Sequence, residues 1–239
     1  MKNYRSTLFL ILSLFNTAVY AVDRQINEAL LQAAQEGNSP QVEDLIKQGA
    51  LVNVRNRFGN TPLLYAARNG HTEVVKILLE NGSDVNRPNL RNISAMIEAV
   101  YNNHTEVVRL LLSHDVDLTY VDNTGKTALI YAAANGSSDI LQMLLDRDID
   151  IDQRDSHELT ALMWASGYGH SEAARLLIDK GAALDLQDDR GMSALMMASA
   201  AGHTEVMALL TDGGADPGLK DKQGRSARDH AALNVAPGR

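Results

Sequence analysis

Residues 61–86 read TPLLYAARNGHTEVVKILLENGSDVN, and related phrases recur along the chain at a constant interval. The hydroxyl residue that opens each phrase returns every 33 residues, and the interval never slips. These openings are Thr61, Ser94, Thr127, Thr160, Ser193 and Ser226. A fixed period of this length indicates a repeat protein, because each unit must stack on its neighbours to bury its apolar side chains.

Each repeat predicts a pair of helices followed by a turn. Thr61 is a good N-cap, and Pro62 occupies a first helical position, where its missing N–H costs nothing. Gly70 can adopt the left-handed conformation that ends the first helix. The second helix, EVVKILL at residues 73–79, carries an apolar stripe at helical spacing. The remainder of the repeat forms a hairpin-like turn, in which carboxylates such as Asp122 can accept backbone N–H groups.

The 33-residue period, the Thr-Pro-Leu opening at Thr61, GHTEVV at residues 70–75 and LLENGSDVN at residues 78–86 together resemble ankyrin repeats. The repeats fall at 23–55, 56–88, 89–121, 122–154, 155–187 and 188–220, with a partial repeat at 221–239 that completes a domain over 22–239. The resemblance implies an all-α solenoid of stacked helix-turn-helix pairs with projecting hairpin turns, about six repeats and a C-terminal cap. Members of this family almost always bind macromolecules and rarely catalyse reactions.

Repeat 89–121 departs most from the pattern. Asn92, Asn103 and Asp115 replace glycines there, and Asn and Asp tolerate a left-handed backbone better than most residues do. Glu158 and Asp148 replace the equivalent glycines in two other repeats. Glu98 stands where the neighbouring repeats have tyrosine or tryptophan. We expect this repeat to be the least regular of the stack.

The first 21 residues have the features of a secretory signal peptide. Lys2 and Arg5 precede an apolar run over residues 8–15, and Val19 and Ala21 are the small residues of a cleavage site. The run is shorter than the roughly 20 apolar residues that a transmembrane helix needs. We therefore expect cleavage after Ala21, no membrane anchor and export to a bacterial periplasm, with secretion outside the cell as the alternative destination.

Composition and motifs argue against several kinds of chemistry. The formal net charge of −8 disfavours nucleic-acid binding, because gripping phosphates needs a dense cationic surface. The chain has no cysteine, so it lacks disulfides, thiolate nucleophiles and cysteine-ligated zinc. No nucleophile elbow, phosphate loop or zinc-protease motif is present. We expect a protein that is not an enzyme and takes no cofactor, metal or small-molecule substrate.

Four of the seven histidines share one position of the repeat, after the first helix. They are His71, His104, His170 and His203. Equivalent sites in successive repeats lie about 10 Å apart, too far for one metal ion that holds each ligand at about 2 Å. We expect these side chains to satisfy free backbone groups instead.

Partners of this family usually dock on the hairpin tips and on exposed positions of the first helices. Those positions hold eleven basic residues, against only Glu36 and Asp189. The basic residues are Arg24, Arg55, Arg57, Arg68, Arg91, Lys126, Arg154, Arg190, Lys220, Lys222 and Arg225. This segregation predicts a protein partner with an acidic surface patch. The alternative is that the cations merely pair with the aspartates that open each repeat, at about 0–1 kcal/mol per exposed pair.

The predicted contact residues combine these cations with apolar and aromatic anchors, which usually dominate binding energy. They are Arg57, Phe58, Arg68, Leu90, Arg91, Tyr101, Lys126, His157, Leu159, Tyr168, Arg190 and Met192. For Trp164 and its equivalents Tyr65 and Tyr131, packing between first helices is an equally good interpretation. Reversing Arg57, Arg68 and Arg91 to Glu is expected to slow association and leave unfolding unchanged.

Together these features predict a monomeric, non-enzymatic scaffold of the bacterial periplasm that docks one partner protein on its concave and hairpin face. It would guard an exported enzyme or neutralise a toxin as an immunity protein. Small secreted ankyrin-repeat proteins of bacteria are similar, and that resemblance is compatible with a catalase as the guarded enzyme. The alternative is a secreted effector or adhesin that binds a host protein.

Overall fold

A computed structural model describes residues 24–235, and all regular structure in this range is helical. The predicted signal peptide and its cleavage site lie outside the described residues. Within residues 24–235, none of the helices combines the length and apolar character that a bilayer crossing requires.

The helices come in pairs that stack in two layers. The first helices are α1 (24–36), α3 (Pro62–Asn69), α5 (Ala95–Tyr101), α7 (Ala128–Asn135), α9 (Ala161–Tyr168) and α11 (Ala194–Ala201). The second helices are α2 (Ser39–Lys47), α4 (Thr72–Glu80), α6 (Thr105–Leu112), α8 (Ser138–Leu145), α10 (Ser171–Asp179) and α12 (Thr204–Asp212). A terminal helix, α13 (Ala227–Val235), packs on α11. From α3 onward, first helices contact first helices and second helices contact second helices of adjacent repeats, which confirms the predicted solenoid.

The hydroxyl residues set where the first helices begin. Thr61 Oγ1 accepts a hydrogen bond from the Leu64 N–H at 3.2 Å, and the openings of the next four repeats make the same cap. Gly70 ends α3 in the left-handed conformation, with φ of 74°. Both features confirm the boundaries predicted for the first helices.

The first repeat is built differently from the others. α1 is helical from residue 24, over positions that form the hairpin turn in later repeats. Because that repeat has no hydroxyl cap and carries polar residues such as Asn27 and Glu28, it suits the exposed end of the stack.

The histidine after each first helix links consecutive repeats. His203 Nε2 donates to the Gly167 carbonyl at 3.1 Å, and its ring lies so close to Gly169 that a Cβ there would be 2.5 Å from Nδ1. Each of the other three histidines makes the same bond and the same close contact with the repeat that precedes its own. Carbonyls at a helix C-terminus lack intrahelical partners, so these bonds confirm the predicted structural role.

The histidine link is absent between repeats 89–121 and 122–154, where both of its partners are replaced. Asn103 replaces the glycine and keeps a φ of 59°, and the residue that faces it in the next repeat is Ser137 instead of histidine. In the other repeats, a Cβ added to the glycine at this position would collide with the histidine ring of the next repeat. The Asn103 side chain therefore leaves no room for a histidine ring at position 137. The two departures therefore match each other across the interface.

Residues that replace glycine elsewhere behave in two ways. Asn92 and Glu158 adopt φ of 57° and 63° in the hairpin turns. Asp115 and Asp148 do not adopt the left-handed conformation, which corrects the expectation that they simply substitute for glycine. After α6 the chain instead turns through a hydrogen bond from the Val116 N–H to the His114 carbonyl at 2.8 Å.

Candidate partner-binding surface

The hairpin tips are joined into a ladder that fixes their relative positions. From repeat 89–121 onward, the second residue of each repeat donates its backbone N–H to a carbonyl of the preceding tip, for example Leu90 to Phe58 at 3.1 Å and Asn123 to Arg91 at 3.2 Å. Three further rungs continue this ladder to Lys222 at 3.0–3.2 Å. We call these tips, together with the exposed residues of the first helices, the hairpin face. Its side chains project from a backbone that is already ordered.

Each hairpin turn is closed by the side chain of the first residue of its repeat. Asp155 Oδ1 accepts the N–H groups of His157 at 2.8 Å and Leu159 at 3.1 Å, and the other opening aspartates act alike. This confirms the predicted role of these carboxylates.

The second carboxylate oxygen often holds an aromatic side chain of the following first helix. Trp164 Nε1 donates to Asp155 Oδ2 at 3.0 Å, and Tyr131 Oη donates to Asp122 Oδ2 at 2.7 Å. Burial and the bond to Asp122 raise the pKa of the Tyr131 phenol. Burial also raises the pKa of Asp122, but hydrogen bonds from Tyr131, Thr124 and Lys126 outweigh it and hold that pKa below its usual value. Trp164 and Tyr131 are therefore packing residues.

The structure sorts the predicted apolar anchors into two groups. Phe58, Leu90, Tyr101 and Tyr168 are each more than half exposed on the hairpin face. Met192 is only 8% exposed and lies in the core, and Leu159 is half-buried against it. Met192 thus offers no side chain to a partner, because its side chain is part of the buried core.

Most of the predicted cations have a carboxylate partner within the chain. Arg24, Lys126, Arg154, Arg190, Lys220 and Arg225 make salt bridges of 2.7–3.9 Å. Lys126 Nζ also lies 4.9 Å from the centre of the Trp164 ring, and His157 Nδ1 is 3.1 Å from Asp189. Lys126, Arg190 and Arg225 pair with aspartates that open a repeat, which is the alternative left open by the sequence, whereas the other three pair with other carboxylates.

Four of the eleven predicted cations have no carboxylate partner among the described residues, namely Arg55, Arg57, Arg91 and Lys222. The Arg55 guanidinium instead donates to the carbonyls of Gly59 at 3.0 Å and Pro88 at 2.8 Å. The other three cations make no salt bridge within residues 24–235, and all three are exposed. The Arg57 guanidinium lies 4.6 Å from the centre of the Phe58 ring, which leaves its charge free for a partner. These hairpin tips therefore carry positive charge that no carboxylate of residues 24–235 neutralises.

Arg68 is a structural residue as well as a surface cation. Its Nε donates to Glu98 Oε2 at 3.0 Å, and a second N–H donates to the other carboxylate oxygen. Glu98 is 5% exposed, and this hydrogen bond raises the pKa of Arg68. An Arg68→Glu change would place a second carboxylate beside a buried one, so the structure leads us to expect destabilisation in place of the unchanged unfolding predicted from the sequence.

We predict that Arg68→Ala lowers the free energy of unfolding by about 1–3 kcal/mol, because it leaves the buried Glu98 carboxylate without its partner. The expected loss is below that of a fully buried pair, since the Arg68 side chain is 40% exposed. Urea denaturation measures it. Arg175→Ala on α10, where the salt bridge to Glu172 is exposed at 3.7 Å, is the matched control and should change stability by less than about 0.5 kcal/mol. Equal effects of the two variants would show that the Arg68–Glu98 pair contributes no more to stability than an exposed salt bridge does.

Sequence comparison assigns the repeats to a known family. A family model described as ankyrin repeats (three copies) matches residues 2–89, 83–155 and 150–221. No curated protein matches the chain significantly.

Solved structures match along nearly the whole chain. The ankyrin repeat domain of human ASB11 is 25% identical with a TM-score of 0.76, over 88% of this chain and 99% of that one. The ankyrin repeat domain of Bcl-3, a member of the IkappaB family, is 26% identical with a TM-score of 0.75, over 87% and 98%. An ankyrin repeat domain from Acinetobacter baumannii is 28% identical with a TM-score of 0.73, over 78% and 98%.

Proposed function

Because the chain belongs to the ankyrin repeat family, whose repeats generally mediate protein–protein binding, we propose that it is a non-enzymatic scaffold that docks one partner protein on its hairpin face. The observation that carries this proposal is the coexistence, on one face, of exposed apolar side chains and hairpin cations that make no salt bridge within residues 24–235. Apolar and aromatic anchors supply most of the binding energy at protein interfaces, and charges set association rate and specificity.

The partner in this proposal carries an acidic patch opposite Arg57, Arg91 and Lys222. Its apolar contacts fall on Phe58 and Leu90 beside these cations, and on Tyr101 and Tyr168 along the first helices. Of the twelve contact residues predicted from the sequence, Met192 is removed from the surface because it is buried.

We place this role in the bacterial periplasm, on the strength of the signal-like first 21 residues. There the protein would guard an exported enzyme, such as a catalase, or act as an immunity protein. A secreted effector or adhesin that binds a host protein is the alternative. Recovery of the chain in a periplasmic fraction supports the first placement, and recovery in the culture medium supports the alternative.

Charge reversal tests the docking face. We predict that Arg57→Glu combined with Arg91→Glu slows partner association by about tenfold or more at low ionic strength and leaves thermal unfolding unchanged, because neither side chain has an intramolecular salt bridge in the described chain. Association is measured by surface plasmon resonance against the protein captured from a periplasmic extract by the wild-type chain.

The matched control reverses two cations of the second helices, Lys76→Glu and Arg109→Glu, which change the net charge by the same amount away from the hairpin face. This control should retain nearly all of the wild-type association rate. If both double variants lose association equally, net charge and not the hairpin face controls binding.

A further inference from the structure

A cleft opens on the hairpin face beside the least regular repeat. It has a volume of about 460 Å³ and lies between the tip that carries Arg91 and the first helices α3, α5 and α7. Arg68, Glu98, Tyr101 and Tyr131 line its wall, with Ile93 beneath the tip. Pockets of about 300–1,000 Å³ hold ligands of many atoms, so this cleft has room for a short stretch of extended peptide.

Most polar groups of the cleft are already used within the protein. The Arg68 guanidinium is bonded to Glu98, and Tyr131 Oη donates to Asp122. The Asn102 side chain donates to the Glu98 carbonyl at 2.9 Å. Within residues 24–235, the Arg91 guanidinium and the Tyr101 hydroxyl are the two groups of the lining that make no side-chain hydrogen bond. These two groups remain for a ligand.

The charge of the cleft follows from the same contacts. Arg68 and Glu98 neutralise each other as an ion pair, so Arg91 leaves a net charge of one positive unit. The cleft therefore favours a single anionic group over a cation.

The two free groups are held on ordered supports. The Arg91 N–H donates to Asn89 Oδ1 at 2.8 Å, and its carbonyl accepts the Asn123 N–H at 3.2 Å. The Tyr101 ring meets the Tyr131 ring edge to face, with centroids 5.5 Å apart. Because these groups are already ordered, the entropic cost of binding a ligand is lower.

We propose that this cleft receives a glutamate or aspartate side chain from an extended acidic segment of the partner. The carboxylate pairs with the Arg91 guanidinium and accepts a hydrogen bond from the Tyr101 hydroxyl. The aliphatic part of the same acidic side chain packs on the Tyr101 ring. The backbone of the segment follows the hairpin ladder toward Phe58, where the free Arg57 guanidinium offers a second positive charge. This assignment rests on the proposed function and names the chemistry that the docking face recognises.

Hexaglutamate labelled with fluorescein is the probe, and fluorescence anisotropy at low ionic strength measures its binding to the chain. We expect wild type to bind hexaglutamate and not labelled hexaglutamine. Arg91→Gln should weaken hexaglutamate binding about tenfold or more, since it removes a charge-assisted hydrogen bond, and Tyr101→Ala should also weaken it. Thermal unfolding of Arg91→Gln should match wild type, because this guanidinium has no salt bridge in the described chain.

Lys222→Gln is the matched control, because it removes another exposed hairpin cation without a salt bridge in the described chain, and Lys222 lies outside the cleft and apart from Arg57. It should weaken binding several-fold less than Arg91→Gln does. Equal losses, or no binding of hexaglutamate at all, would overturn the assignment of the cleft. If hexaglutamate fails while capture of a partner still depends on Phe58 and Tyr168, the cleft assignment fails and the docking function stands.

Discussion

Leu111→Ala is expected to lower the free energy of unfolding by about 2–5 kcal/mol, through lost burial and the cavity left behind. Leu111 lies on α6 and is fully buried. α6 packs between α4 and α8, so the side chain contributes to the core that joins three consecutive repeats. Solenoid stability is approximately a sum of such nearest-neighbour interfaces, and a defect at the centre weakens two of them. Leu144→Ala on α8 should have a loss in the same range.

Differential scanning calorimetry or urea denaturation measures this loss. Leu51→Ala is the matched control, since Leu51 is 63% exposed and its truncation should cost less than about 0.5 kcal/mol. A loss below about 1 kcal/mol for Leu111→Ala would mean that the apolar stripe of the second helices does not form the core.

Gly169→Ala is expected to lower the free energy of unfolding by about 1.5–3.5 kcal/mol. At φ of 76°, alanine costs about 1–2 kcal/mol relative to a residue in the right-handed region. The added Cβ would also lie 2.5 Å from His203 Nδ1, which must move and lose its bond to the Gly167 carbonyl, at about 0.5–1.5 kcal/mol. Urea denaturation of the single variant measures the sum.

A double-mutant cycle separates the two contributions. In the His203→Ala background the ring is absent, so Gly169→Ala should cost only the backbone part. Fully additive losses would contradict the contact between the two repeats. The Asn103 and Ser137 pair tests the same rule in reverse: Ser137→His alone should destabilise the chain, and Asn103→Gly should restore much of that loss.

The sequence predicted the helix pairs and their limits well, because short-range signals specify them. A hydroxyl cap such as Thr61 bonds a backbone group three residues away, and Asp155 bonds groups two and four residues away. Interactions over such short separations depend little on how the repeats stack. Asp115 and Asp148 are the exceptions, because neither adopts the left-handed conformation of the glycines at that position of the other repeats.

The candidate site was predicted less completely. A count of charges by repeat position correctly found an excess of cations on the hairpin face, but it could not distinguish Arg91, which stays free, from Arg190, which pairs with a buried aspartate at 2.7 Å. The repeat position of Met192 predicted a surface residue, whereas its side chain lies in the core. Glu98 was noticed as an irregularity, but its partner Arg68 lies 30 residues away, on another helix.

The period, the caps and the glycine turns thus follow from the amino-acid sequence alone. The caps and turns depend on residues only a few positions apart, and the period recurs without interruption. Stacking determined the contacts between residues about 30–36 positions apart, such as Arg68 with Glu98 and Gly169 with His203. Those contacts depend on the relative position of two whole repeats, which is the sum of many small packing interactions along the interface. For that reason the tertiary structure was needed to show which cations are free and where the cleft beside Arg91 opens.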